Sequence, residues 1–211
     1  MPKNKGPDLM ALPREAWRES AWVPTSNLFE PYVWEELFGN SHPVEVELGA
    51  GDGGFILEKA RREPGTNFFA LERLLGRARK MAKRAPERGL ANFKVLRLES
   101  SYFIERLCHP GSVDIVHIMF PDPWPKKRHH KHRLIQPAFL EHLARVLKPG
   151  GEVRFTTDHE PYFLWAMEHW QQAPGWKSLG TWDAKDDPRT DFEMGFLEEG
   201  RPFYRHRWGL S

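Results

Sequence analysis

The stretch Val44-Glu45-Val46-Glu47-Leu48-Gly49-Ala50-Gly51-Asp52-Gly53-Gly54-Phe55-Ile56-Leu57 changes character twice within fourteen residues. Its first five residues alternate apolar and acidic side chains, the period of a β-strand. Four glycines then fall within six positions. Without a Cβ they let the backbone turn sharply and approach a ligand closely. The run "GFILEKARR" follows at helical spacing, and Pro64-Gly65 stops it. Strand, glycine-rich turn and helix, in that order, form one unit of a parallel sheet.

The same alternation continues outward from this unit. "NFFALE" is a second strand and "LLGRARKMAKRAPERG" a basic helix that Gly89 ends. "FKVLRL" is a third strand, and "SSYFIERLC" a helix whose serines suit an N-cap. "VDIVHIMF", mostly apolar, is a central fourth strand. "IQPAFLEHLARVLKPGG" is a helix ending at Pro-Gly-Gly, "EVRFTTD" a fifth strand, and "EPYFLWAMEHWQQA" a helix with Pro161 in its first turn. The predicted fold is α/β, with a doubly wound, mostly parallel sheet and helices on both faces. Beyond Trp176, "WKSLGTW" and "PFYRHRW" read as closing strands around a polar loop over residues 183–200. Residues 1–40 read as an N-terminal arm with one short helix near residues 31–38, packed by Trp17, Trp22 and Trp34. Residues 41–211 read as one globular domain.

The bulk composition narrows the setting. The 211 residues suffice for one full core. No apolar run approaches the roughly 18 residues of a membrane span. The start, "MPKNKGPDLM", lacks the apolar core of a signal peptide. Cys108 is the only cysteine, which excludes an intramolecular disulfide and suits a reducing cytoplasm. The net charge is +2, unevenly spread. Residues 73–133 carry fifteen Lys/Arg against five Asp/Glu, a balance of +10 that leaves −8 for the rest. A basic middle of this kind is the electrostatic footprint of a polyanion binder.

The glycine loop fits two spacings. Gly49, Gly51 and Gly54 satisfy G-x-G-x-x-G, a dinucleotide pattern. Glu47, Gly49, Gly51 and Gly53 satisfy E-x-G-x-G-x-G, the first motif of S-adenosylmethionine-dependent methyltransferases. Glu72 closes the second strand where an acid accepts from both ribose hydroxyls, a feature common to both ligands. Glu47 favours the methyl donor, because its carboxylate would crowd a pyrophosphate. Glu99, at the end of the third strand, is placed either to accept an adenine amino group or to face solvent.

Just after the fourth strand comes "FPDPWPKKRHHKHR", residues 120–133. Ligands of a doubly wound sheet lie at the carboxyl ends of its strands. Pro123 and Pro125 restrict Asp122 and Trp124 to extended backbone, which aims the carboxylate. The basic residues that follow suit RNA phosphates, Arg as a fork and Lys as a point charge.

The "FPDPWPKKRHHKHR" segment, with Glu47-Leu48-Gly49, Leu71-Glu72, "LKPGG" and Thr156-Thr157-Asp158 in the same order, closely resembles the bacterial tRNA (guanine-N7)-methyltransferases over roughly residues 44–204. The resemblance implies a Rossmann-like methyltransferase fold, tRNA as partner, and methyl transfer from S-adenosylmethionine to N7 of guanine 46 in the variable loop. It implies that Glu47, Gly49, Gly51, Glu72, Glu99 and Asp122 contact the donor, with Asp122 also catalytic. It implies that Lys126, Asp158, Thr190, Asp191, Phe192 and Glu193 contact the RNA or its guanine. The family's Thr-Lys-Phe-Glu-x-Arg-Gly stands here as Thr190-Asp191-Phe192-Glu193-Met194-Gly195-Phe196, so Asp191 replaces a base and Gly195 an arginine. Oligomeric state, monomer or homodimer, is not written in these motifs.

Guanine N7 carries a free lone pair and needs no base before attack, so alignment is the main task. That fits a site of fixed carboxylates without a nucleophile. Three other readings compete. An amino-group methyltransferase acting on adenine or cytosine uses an Asp/Asn-Pro-Pro-aromatic turn, and Asp122-Pro123-Trp124 lacks the second adjacent proline. A nicotinamide-linked oxidoreductase would use Gly49, Gly51 and Gly54 but leaves the basic cluster unexplained. A non-catalytic RNA-binding module makes the aimed acid incidental. His129, His130 and His132 have no distant Cys or His at a zinc spacing, so no metal is expected.

Overall fold

The computed structural model describes residues 19–25, 28–182 and 187–211, so Lys3, Lys5 and Trp17 of the arm lie outside the described residues. In chain order the elements are β1 (Trp22–Val23), α1 (Trp34–Phe38), β2 (Val44–Leu48), α2 (Gly54–Arg62), β3 (Asn67–Leu71), α3 (Leu75–Glu87), β4 (Phe93–Leu96), α4 (Ser100–Tyr102), β5 (Val113–Met119), α5 (Pro137–Val146), β6 (Leu147–Thr157), α6 (Glu160–Gln172), β7 (Trp176–Gly180), α7 (Asp191–Glu198) and β8 (Tyr204–Leu210).

The strands form one sheet in the order β1-β4-β3-β2-β5-β6-β8-β7. Pairing is parallel from β1 through β6 and antiparallel where β8 joins β6 and β7. The doubly wound reading therefore holds, and the two closing strands are present. Helices cover both faces. Phe55, Ile56 and Met81 of α2 and α3 pack on Phe68 and Val95. On the other face Leu37, Leu140 and Trp170, from α1, α5 and α6, pack with Phe69, Val116 and Phe155. The chain reverses direction across the sheet between β2 and β5, so a crevice opens at their carboxyl ends.

Several local features differ from the sequence reading. Trp22 and Val23 pair in parallel with β4, adding an edge strand to the expected five plus two. The helix before "LKPGG" stops at Val146, and Leu147 is already extended and paired with Val113. Pro149 drives Lys148 out of helical backbone, and Gly150 has φ +80°. The helix after β4 is capped by Glu99 rather than by a serine; its carboxylate accepts from Ser101 N (3.0 Å) and Tyr102 N (2.8 Å). One α-helical turn then widens into a π-helical turn over Phe103–Leu107. The loop expected over residues 183–200 contains α7, with residues 183–186 outside the described set. Thr190 and Glu193 form a capping box there, a signal already legible as Thr-x-x-Glu in the sequence. Among the described residues, no helix is long and apolar enough to cross a membrane.

Candidate active site

The glycine loop is fixed by β3. Gly49 N and Ala50 N both donate to Leu71 O at 2.9 Å, and Gly53 N donates to Ala50 O at 2.9 Å. Gly49, Gly51 and Gly53 have φ of +75°, +58° and +76°, whereas Gly54 opens α2 in ordinary backbone. The left-handed positions thus follow the E-x-G-x-G-x-G spacing, not the dinucleotide one. Gly53 is also sterically required, since a Cβ there would lie 2.5 Å from Met81 Cγ.

Two acids stand behind this loop. Glu72 is nearly buried and ties two turns together: Oε2 accepts from Gly51 N (2.9 Å) and Oε1 from Leu74 N (2.7 Å). Glu47 is 3% exposed, and its Oε2 has no hydrogen-bond partner among the described residues. Burial, and then the nearby charge of Glu72, push the Glu47 carboxyl well above the usual carboxylate range.

A cavity of about 690 Å³ opens at the carboxyl ends of the strands beside this loop. Of the residues singled out from sequence, Gly49, Gly51, Glu72, Glu99, Asp122 and Phe192 line it. Glu47 is buried one residue before Leu48 of the lining and does not itself line the cavity. Lys126, Asp158, Thr190 and Glu193 do not line it, and the Asp191 side chain lies outside the description. Asp158 pairs with Arg201 at 3.1 Å. Thr190 and Glu193 spend their polar groups on capping α7, with Glu193 also ion-paired to Arg205. Lys126 is exposed and precedes a 3-10 turn, Lys127–His132, in which Lys127, Arg128, Lys131 and His132 are exposed. A smaller cleft of about 330 Å³, near the amino ends of β2 and β5, has none of the expected residues.

The proline turn is built differently from expectation. Trp124 is not extended but left-handed, with φ +44°, and Phe120 has φ +50°. Both precede a proline, and each such residue costs on the order of 1–3 kcal/mol. Tertiary contacts hold them. Phe120 meets Phe192, Phe196 and Phe203, with ring centroids 5.8, 5.5 and 6.2 Å away. Arg133, 3% exposed, donates from Nε to Pro123 O at 2.8 Å. Asp122 itself is exposed and makes no hydrogen bond or ion pair among the described residues. Cys108 is buried, and burial pushes its thiol up to about 12, which removes it as a nucleophile at neutral pH.

Three contributors escape the sequence reading. Phe120 is the aromatic hub under α7. Arg133, counted with the basic run, is a buried brace. Asp187 anchors the chain ahead of α7: it accepts from Trp182 Nε1 (3.0 Å) and lies 3.5 Å from both Lys59 Nζ and Arg154. Lys59 in turn reaches Glu45 (3.6 Å), and Glu45 bonds the buried His117 at 2.7 Å. Only the isolated charges are legible in sequence, not their convergence.

Comparison with known proteins gives a consistent result. Residues 41–206 match the family described as "Putative methyltransferase". The chain is 37% identical over 183 residues to a tRNA (guanine-N(7)-)-methyltransferase of Myxococcus xanthus, covering 84% of this chain and 88% of that one. A protein of the same name from Thermus thermophilus is 35% identical over 170 residues, which are 81% of this chain but 55% of that protein's length. Among solved structures, the 16S rRNA methyltransferase KamB superposes with a TM-score of 0.62 at 20% identity, covering 84% of this chain and 91% of that one. That likeness is one of fold.

Proposed function

The chain belongs to the tRNA (guanine-N7)-methyltransferase family, and on that premise we propose that it transfers a methyl group from S-adenosylmethionine to N7 of a guanine in tRNA, guanine 46 of the variable loop. The observation that carries this reading is the shared cavity: the glycine loop with Glu72 lines one side, and Asp122, on its strained turn, lines the other.

The residues fit the donor. Glu47 Oε2 is a buried acceptor with no partner among the described residues, suited to a cationic group that re-ionises it. Gly49 and Gly51 leave the loop backbone open, with no heavy atom closer than 4.0 Å to an added Cβ. Glu72 and Glu99 offer carboxylates to the ribose and adenine portions, while their present backbone bonds hold them in place. When bound, S-adenosylmethionine supplies an electrophilic methyl on a positively charged sulfur.

Asp122 then has one task, to orient the guanine edge so that N7 lies in line with that methyl. No residue needs to take a proton from N7 first. Phe192 closes the cavity from α7. Asp158, Thr190 and Glu193 contribute through the placement of that helix, and Lys126 with the exposed basic turn meets phosphates in the cytoplasmic tRNA. The amino-group alternative requires a different product. Incubation with labelled donor and unmodified tRNA, followed by digestion to nucleosides, separates the two: label in 7-methylguanosine is expected, and label in a methylated adenosine or cytidine defeats the proposal.

A further inference from the structure

Trp124 occupies an unusual position for a large aromatic side chain. Its φ is +44°, in a region that L side chains rarely adopt, and a proline follows it. The indole nevertheless stays 37% exposed and lines the cavity two residues from Asp122. Core packing does not account for a strained residue that leaves its ring in the open. Strain of this kind persists only where the surroundings over-determine it, and it concentrates at working sites.

The surroundings are visible. His129 and His132 set their rings 5.9 and 5.1 Å from the indole. Beneath the turn, Arg133 donates from Nε to Pro123 O, the carbonyl directly before Trp124. Its guanidinium lies over the rings of Tyr162 and Trp165, at 5.0 and 5.1 Å. A planar cation between two rings and a carbonyl is a rigid brace. It also differs from Lys127, Arg128 and Lys131 of the same run, which face solvent.

We infer that Trp124 is the face on which the target guanine stacks, and that Arg133 is the positioning residue that keeps the indole presented to the cavity. This rests on the proposed methylation of a tRNA guanine. A base removed from its own stack finds a replacement surface in an aromatic ring. The indole supplies that surface and leaves the base edge to Asp122.

The test is single-turnover methylation of unmodified tRNA at saturating donor, with tRNA affinity measured in parallel. Trp124→Phe keeps a ring and should stay within about threefold of wild type. Trp124→Leu keeps bulk without a π face and should lose on the order of 30-fold in rate, within the range for removing one base–aromatic stack. The tRNA affinity of both should hold, since phosphates dominate it. Arg133→Lys keeps charge but not the planar brace and should reproduce the Trp124→Leu loss. The double variant should lose no more than either single one. A Leu variant at the wild-type rate, or losses that multiply in the double variant, overturns the inference. Should Arg133→Lys unfold, the Phe and Leu variants still decide the stacking role. Absence of methyl transfer by the wild-type chain defeats the underlying reading, and this inference with it, in a way no variant can mimic.

Discussion

On the glycine-loop side of the cavity, backbone N–H groups make the contacts: Gly49 N and Ala50 N donate to Leu71 O, and Gly51 N donates to the Glu72 carboxylate. On the opposite side, side chains make them: Arg133 under Pro123 and Phe120 among three phenylalanines. A backbone-built wall is local, because its residues lie within one strand-turn-helix unit and its neighbour strand. A side-chain-built wall collects residues from distant parts of the chain, among them α6 and α7. The first is expected to respond to substitution through stability, the second through the rate of the reaction and the binding of RNA.

The harshest way to break this contrast is at Gly53. Its φ of +76° and the 2.5 Å approach of Met81 penalise any Cβ twice, by backbone strain and by overpacking. Gly53→Val should destabilise the protein by about 3–5 kcal/mol, read from urea unfolding. A loss below about 1 kcal/mol would mean that the loop yields and that the backbone wall is not rigid.

That contrast also explains what can be read from sequence. The doubly wound sheet, the glycine loop and Glu72 announce themselves because conformational demands leave a mark on residue type. Gly53 must be glycine, and β2 must alternate. The aim of Asp122 is half legible. Its prolines mark a stiff turn, but they argue for extended backbone at Trp124, and the structure has it left-handed. The difference arises because Arg133, Phe120 and the histidine rings outweigh the local preference. In sequence Arg133 is one more cation for phosphates. Nothing local separates a buried arginine from its exposed neighbours, since burial is decided by α6 some thirty residues on, where Tyr162 and Trp165 lie. Resemblance makes Glu193 a substrate contact, although the Thr190-x-x-Glu193 capping signal stands in the sequence as well.

The next effect in size concerns chemistry on the side-chain wall. Asp122→Asn keeps shape and the turn but removes the charge that orients the guanine. The single-turnover methylation rate should fall on the order of 10²-fold, about 2.7 kcal/mol, with tRNA affinity almost unchanged. Asp122 is exposed and makes no ion pair among the described residues, so stability should not move. A variant rate near wild type would assign the turn to loop shape alone.

A smaller effect separates the exposed basic turn from its buried end. Lys127, Arg128 and Lys131 are exposed, unlike Arg133. Changing the three together to Ala should weaken tRNA binding roughly tenfold or more at physiological salt. It should flatten the log–log salt dependence by roughly 0.7–0.9 for each phosphate no longer neutralised. Lys131 lines the same cavity, but the glycine-loop wall shares none of the three, so donor affinity should change far less than tRNA affinity. An unaltered salt slope would show that these cations only solvate the turn.

The smallest effect is also the one that tests the backbone-built wall without disturbing its backbone. Glu47 is buried, its Oε2 lacks a partner among the described residues, and its carboxyl is pushed up by burial first and by Glu72 second. For an acid whose folded value lies above its unfolded value of about 4.3, the folded state binds the proton more tightly. Stability is then full below that unfolded value and declines as pH rises toward the raised folded value. Glu47→Gln removes the titration and keeps the size. The donor-free variant should therefore be more stable than wild type at pH 8, by about 1 kcal/mol, the lower end of the cost of an unsatisfied buried polar group. The gain should shrink toward pH 4. Saturating donor should reverse the order, because a cationic ligand re-ionises Glu47 in the wild type and cannot do so in the variant. Thermal unfolding across pH 4–8, with and without S-adenosylmethionine, measures all three. A variant less stable than wild type at pH 8 without donor would mean that Glu47 is satisfied in the folded protein and is part of its scaffold rather than a site held ready for a cation.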